Sequence, residues 1–399
     1  TNAKTSLPGD GRPFLMNYRP LEPAQPVVQP VQPPPPGPLR NHTVLFTPDS
    51  EGYPYYRIPS LLLAGTVLLA FAEGRKQRTD HGWVDIVMKR SLDGGATWSP
   101  LSVLQSESGN GRRASIGNPT PLYDAPEIAL FFCRENKIIL VTRSRDAGIT
   151  WSAAEEIAWS RPPDWRWLAA GPPGALVTRT GRWVLPCDGW RGGVSFYQAA
   201  EIFSFVLISD DKGATWQEGA LLQGGNECQV AEVANGSLLL NMRSRDATRL
   251  FARSDDDGRT WSAPARAKPP VVDGNCQGSM VAMHGGRTLV ATTVGISRVT
   301  LFVHISHDGG HRWERSVVTP DPSAYSSLVP LGELAPPTVA EEAPWDVGLL
   351  FETKPKRLGE GGRPLSPAAH NSQKEELHFG RLTIPPADGQ GTSAARDEL

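Results

Sequence analysis

Apolar positions along this chain gather into short runs, and turn-forming Gly, Pro, Asp or Asn residues close them. The runs include Thr43–Phe46, Arg57–Leu63, Val67–Phe71, Asp85–Lys89, Ile128–Cys133, Ile138–Thr142, Trp183–Pro186, Phe203–Ile208, Ser237–Met242, Thr288–Thr293, Thr300–Ile305 and Val347–Glu352. Each has the length of a strand, roughly 4–8 residues. No stretch combines helical periodicity with capping residues at both ends. The pattern predicts an all-β chain from Thr43 to about Ile384.

One polar pattern recurs between the runs. Ser91, Asp93, Gly95, Thr97 and Trp98 read S-x-D-x-G-x-T-W. The pattern returns at Ser144–Trp151, Ser209–Trp216 and Ser254–Trp261, and again at Ser306–Trp313 with Arg312 in place of Thr. Such a box makes sense as a hairpin turn. Its Asp can accept N–H bonds across the loop, its Gly can take positive φ, and its Trp can pack between sheets. Copies lie roughly 45–65 residues apart, close to the period of a β-propeller blade. Five boxes plus unmarked flanking strands predict six blades. Strands near Thr43–Phe71 and His378–Ile384 would share one blade and close the ring. The box repeats a fold, so the chemistry has to come from residues between its copies.

Composition changes the picture at the ends. Residues 1–42 are rich in Pro, with Pro33–Pro36 in a row, and predict an extended tail or linker. Residues 43–384 form the expected catalytic propeller. Residues 385–399 are polar and end Arg396-Asp397-Glu398-Leu399, which resembles an endoplasmic-reticulum retrieval signal. With the glycosylation triplets Asn41-His42-Thr43 and Asn235-Gly236-Ser237, that ending points to the secretory route or the cell exterior, with the cytoplasm left open. The 40 basic and 42 acidic side chains nearly balance, which argues against nucleic acid as a partner. No apolar run reaches the roughly 18–20 residues of a transmembrane segment. Four scattered cysteines read as buried thiols, with room for one bridge. The histidines show no metal spacing, and neither a metal nor a cofactor is implied.

Several short motifs lie between the boxes in a definite order: Tyr56-Arg57-Ile58-Pro59, Glu73-Gly74-Arg75 followed by Asp80, Asn226-Glu227-Cys228-Gln229, Asn241-Met242-Arg243, Ser297-Arg298, Ala324-Tyr325-Ser326-Ser327 and Leu350-Phe351-Glu352. Together with the boxes, this set resembles the exo-α-sialidases (neuraminidases). The resemblance covers most of Thr43–Thr383. It implies hydrolysis of terminal α-linked sialic acids on glycoproteins, glycolipids or oligosaccharides, with retention through a tyrosyl–enzyme intermediate. A related transferase and a non-catalytic carbohydrate-binding propeller are the alternatives.

The resemblance assigns roles that the chemistry makes sensible. A sialic acid carries a carboxylate on its anomeric carbon, and arginine recognises a carboxylate in bidentate geometry. Arg57, Arg243 and Arg298 would form that triad, with Glu352 orienting Arg57. Arg75 would be a further substrate-facing arginine. A carboxylate nucleophile would be repelled by the substrate's own anion, whereas a neutral tyrosine would not. Tyr325 matches the nucleophile and Glu227 its base. Neighbouring arginines are expected to lower the Tyr325 pKa. Asp80 matches the general acid/base, with Asp85 as a rival that reads better as a buried partner of Lys89 or Arg90. Taken singly, each Arg could be a surface residue, Tyr325 a loop tyrosine, Glu227 a turn carboxylate and Glu352 the partner of Lys354 or Lys356. Trp83, Met88, Trp165, Trp167, Phe196 and Tyr197 are candidates for an acyl and glycerol pocket.

Overall fold

The computed structural model describes residues 39–331, 345–354 and 374–385. The Pro-rich stretch up to residue 38 and the terminal Arg-Asp-Glu-Leu lie outside them. Among the described residues the structure is all-β, with two 3₁₀ turns, His284–Gly286 and Ile296–Arg298.

Strand β1 (Arg40–Phe46) opens the chain. A four-stranded sheet follows, of β2 (Tyr55–Ala64), β3 (Val67–Arg75), β4 (Val84–Ser91) and β5 (Ser102–Gln105). The next contains β6 (Ile116–Asp124), β7 (Glu127–Arg134), β8 (Ile138–Ser144) and β9 (Glu155–Glu156). A six-stranded sheet joins β10 (Trp165–Ala170), β11 (Leu176–Val177), β12 (Trp183–Arg191), β13 (Glu201–Ser209), β14 (Gln217–Glu218) and β15 (Leu222–Gln223). Three strands follow: β16 (Cys228–Glu232), β17 (Leu238–Met242) and β18 (Leu250–Ser254). The last sheet holds β19 (Met280–Met283), β20 (Thr288–Val294), β21 (Val299–Ser306), β22 (Glu314–Pro330), β23 (Trp345–Thr353) and β24 (Glu376–Ile384), with β1 at its edge. Paired strands are antiparallel throughout, and the sheets stand in a propeller-like arrangement.

Six separate sheets were expected and five are observed. The reason is β22, which runs unbroken for 17 residues. Its first half pairs with β21 and its second half with β23. Two further expectations need correction. Strand β1 starts at Arg40, inside the stretch assigned to the tail, because Arg40 and Thr43 pair with Arg381 and Phe379. Only β1 joins the last sheet; the run from Arg57 to Phe71 belongs to the next one.

The boxes explain the packing. Each box serine is the last residue of its strand: Ser91 of β4, Ser144 of β8, Ser209 of β13, Ser254 of β18 and Ser306 of β21. In the first box, Asp93 accepts bonds from the Thr97 backbone N–H at 2.8 Å and its hydroxyl at 2.6 Å, while Ser91 accepts the Gly95 N–H at 2.7 Å. Gly95 has φ 92°, and a Cβ there would lie 2.2 Å from the Phe379 ring. Each box Trp packs back onto the preceding sheet. Trp151 meets Phe71, Trp216 meets Phe131 and Trp313 meets Phe251. Trp98 meets Phe379 of β24, with ring centroids 5.1 Å apart, so the first box packs on the last sheet. Leu45, Phe46, Leu350 and Leu377 share one core cluster with Tyr56, Leu61 and Leu68. The middle strands are apolar on both faces because each sheet has neighbours on two sides. All four cysteines are free and buried within these layers.

Candidate active site

The inner strands carry β-bulges at one end. Register shifts fall between Arg57 and Ser60 in β2, Gly117 and Thr120 in β6, Trp165 and Trp167 in β10, and Ser323 and Ser326 in β22. A bulge turns a side chain out of the ladder and is common beside active sites. At the first bulge Ile58 has φ 54°, a costly conformation for a β-branched residue. Its N–H donates to Glu352 at 2.7 Å, and the same carboxylate oxygen accepts from Arg57 Nε at 2.8 Å. The fully buried Glu352 thus holds Arg57, whose side chain is 19% exposed, and the alternative pairing with Lys354 is not made. Lys354 pairs instead with Glu375.

Glu227 precedes β16, and Arg243 follows its partner β17, so strand pairing brings them together. Arg243 Nη1 meets Glu227 Oε2 at 2.6 Å. The bulge in β22 sends Tyr325 inward, where its hydroxyl donates to Glu227 Oε1 at 2.5 Å and accepts from Arg243 at 3.4 Å. Arg57 and Arg298 lie over the Tyr325 ring, 5.2 and 5.9 Å from its centroid. Arg298 sits in the second 3₁₀ turn and donates to the Asn275 carbonyl at 3.0 Å. Asn275 Oδ1 also takes the Arg243 Nε–H at 3.0 Å, so one loop residue orients two guanidinium groups. The fully buried Arg249, bonded to Asp273 and the Cys276 carbonyl, braces that loop.

Arg75, 2% exposed, donates twice to Glu73 and once to Asp80, at 2.8 Å. Asp80 lies in the loop after β3 and is 70% exposed. Its rival Asp85 is buried and accepts from Tyr53 and Trp83, whereas Lys89 pairs with Glu51 and Arg90 donates to the Ala147 carbonyl. Asp85 is therefore a buried partner, but of an aromatic pair, and not of Lys89 or Arg90.

Of the site residues expected from the sequence, all but Glu352 line one cavity of about 630 Å³, and Glu73 lines it with them. Glu352 stands behind Arg57. Trp167, Phe196 and Tyr197 also reach the cavity. Met88 and Trp165 are core residues, and Trp83 bonds to Asp85. Sequence reasoning missed Glu73, Asn275, Asp188 and Trp190. Glu73 could have been found, since residues i and i+2 of a strand share a face and Arg75 was already singled out. Asp188 could also have been found, as a charged residue inside the apolar strand Trp183–Arg191. Asn275 leaves no sequence signal.

The electrostatics depart from expectation at the tyrosine. Burial and the Glu227 carboxylate push the Tyr325 phenol well above its ordinary value, and Arg243 and Arg298 only partly oppose them. The expected lowering fails because the phenol is buried and because Glu227 stands closer to the hydroxyl than any guanidinium. At Asp80 the side chain is largely exposed, but desolvation by the surrounding cavity would still raise the pKa; Arg75 outweighs it, with help from Arg57 and His81, and holds the carboxyl below its usual range. Among the described residues no cluster of His, Cys, Asp or Glu could hold a metal ion, and no helix is long and apolar enough to cross a membrane.

Fold and site together define a propeller-like protein with a cavity lined by arginines and carboxylates, in which a tyrosine and a glutamate are paired. A sequence model of the BNR repeat-like domain matches residues 65–334. Sialidase-2 of Rattus norvegicus is 33% identical over 266 residues, which span 57% of this chain and 69% of that protein. Sialidase-4 of Homo sapiens is 32% identical over 60% of this chain and 57% of its own length. Among solved structures, the Hadza microbial sialidase Hz136 superposes with a TM-score of 0.69 at 22% identity, over 86% of this chain and 68% of that one. Trypanosoma rangeli sialidase in complex with the inhibitor DANA has a TM-score of 0.65 at 18% identity, over 85% of this chain and 59% of that one. At those identities the structural matches speak for the fold. The chain belongs to the sialidase family and is a glycoside hydrolase of the exo-α-sialidase type.

Proposed function

We propose that this chain releases terminal α-linked sialic acids from glycoproteins, glycolipids or oligosaccharides, with retention of configuration. The observation that carries this reading is the 2.5 Å hydrogen bond from Tyr325 to Glu227 inside a cavity also lined by Arg57, Arg243 and Arg298. Arg57, Arg243 and Arg298 take the substrate carboxylate, and Glu352 fixes Arg57 against their mutual repulsion. Because the free phenol resists ionisation, Tyr325 attacks as Glu227 removes its proton. Asp80 protonates the leaving oxygen and then activates water to hydrolyse the tyrosyl intermediate. Arg75 keeps Asp80 at the cavity mouth. The same reading takes the two halves of β22 as parts of separate blades, giving a six-bladed ring in which the blade with β23, β24 and β1 lacks a box.

Proton NMR of the sugar first released from an aryl α-sialoside tests the mechanism. The α anomer is expected first, with the β anomer appearing only by later mutarotation. A first-formed β anomer contradicts retention. Transfer to a sugar would use the same residues, and one observation favours it: Tyr197, 66% exposed, stands edge-on to Phe196 at the rim as a surface for an acceptor. Sialyllactose formed on adding lactose would reveal that activity.

A further inference from the structure

Asp188 is a carboxyl group whose setting the mechanism above does not use. It lies in β12, between Ala169 of β10 and Ser204 of β13. Residues two apart on a strand share a face, so Asp188 and Trp190 both line the cavity. Trp190 stacks on Trp167, with ring centroids 6.3 Å apart, and the pair walls the cavity beside the carboxyl. Asp188 is fully buried. Its Oδ2 accepts a 2.6 Å bond from Asn226 Nδ2, and its Oδ1 has no hydrogen-bond partner.

An ionised carboxylate with one oxygen buried and unpaired is costly unless a cation compensates. The nearest candidate is Arg243, but Glu227 already engages it at 2.6 Å. Around Asp188, burial and then the Glu227 anion favour the neutral acid; Arg243 opposes them, as does the Trp167 indole N–H, which approaches the carboxyl without making a hydrogen bond of good geometry, and both are outweighed. The thiols that feel Asp188, namely Cys133, Cys187 and Cys228, are buried with their pKa values raised, and they add no charge.

We propose that Asp188 carries its proton and presents an O–H from Oδ1 to the cavity, where it donates to an uncharged hydroxyl or carbonyl oxygen of the bound sugar. Asp188 is then a specificity-determining residue. It selects a neutral acceptor at that point, and its ionisation would both remove the donor and place an anion beside an anionic substrate. The sugar's identity in this inference rests on the sialidase reading.

Two measurements on the full chain test it. The first is KM for an aryl sialoside between pH 5 and 8 in wild type, Asp188→Asn and Asp188→Leu. The asparagine amide accepts from Asn226 and donates to the cavity at every pH. Wild-type KM is expected to rise about fivefold or more with pH, Asp188→Asn to flatten that rise, and Asp188→Leu to raise KM about tenfold throughout. The second is intrinsic fluorescence of the substrate-free protein, in which Trp167 and Trp190, two of the 12 tryptophans, stand beside the carboxyl and the Asp188→Asn difference isolates their response. Wild type is expected to titrate above the ordinary carboxylate range and Asp188→Asn to lose that transition. Matching KM profiles in wild type and Asp188→Asn, or matching fluorescence titrations, overturn the proposal. If wild type fails to hydrolyse the sialoside, the sialidase reading falls and the fluorescence titration alone decides the state of Asp188. If Asp188→Leu does not fold, the comparison with Asp188→Asn stands unaided.

Discussion

Arg75 holds two carboxylates, Glu73 with two N–H groups and Asp80 with one. A general acid must be protonated to act, and the Arg75 cation opposes that by lowering the Asp80 pKa. The alkaline limb of kcat/KM in the free enzyme should therefore lie on the acid side of neutrality. Arg75→Met removes the cation and should move that limb to higher pH. It should also cost about 3–5 kcal/mol of stability, because Glu73 is left buried without its cation, held only by the Asn118 N–H. A pH–rate profile with the limb unmoved would exclude Asp80 as the acid. At this scale the sequence was most legible where a motif is local. Tyr56-Arg57-Ile58-Pro59 and Glu73-Gly74-Arg75 stand out by residue type alone. The sign of the Tyr325 shift was not legible, because it depends on how deeply the phenol is buried and then on which charge lies nearest in space.

The boxes and the bulges are the two kinds of element that build this molecule, and they differ in legibility. A box has a fixed spacing of Ser, Asp, Gly, Thr and Trp, so all five copies were visible and each serine ends a strand. A bulge has no such signature. Ile58 even contradicts its propensity, since a β-branched residue adopts φ 54° there. The fifth box tests what the hydroxyl contributes. Asp308 still accepts N–H bonds from His311 and Arg312, at 3.0 and 2.9 Å, but Arg312 has no hydroxyl to match that of Thr97. Arg312→Thr should restore the missing bond and stabilise the protein by about 0.5–1.5 kcal/mol, read as a rise in Tm. Activity should not change, because no residue of this turn lines the active-site cavity.

At the scale of the whole molecule, the propeller-like arrangement explains why groups from β2, β3, β22, the ends of β16 and β17 and the second 3₁₀ turn meet. The period of the boxes made that arrangement legible, while the continuous β22 left five sheets where six were expected. The boxes also link stability to pH. Bonds from the box threonine, its hydroxyl first and then its N–H, pull Asp93 and Asp211 down to about 2 and shift Asp146 further the same way. In Asp256 slight burial opposes those bonds and is outweighed, again to about 2. Each lowered carboxyl stabilises the fold above its unfolded value of about 3.9 and loses that contribution as pH falls through the folded value. Thermal melts should show Tm falling between about pH 4 and pH 2, and a flat Tm across that window would contradict the linkage.

The central claim is that Tyr325, with Glu227 as its base, is the nucleophile. Incubation with 2,3-difluorosialic acid followed by tandem mass spectrometry examines this at a single atom. The expected result is one glycosyl adduct on Tyr325, absent from Tyr325→Phe, a variant that folds but has lost about a thousandfold or more in turnover. An adduct on any other residue, or full activity in Tyr325→Phe, would contradict it.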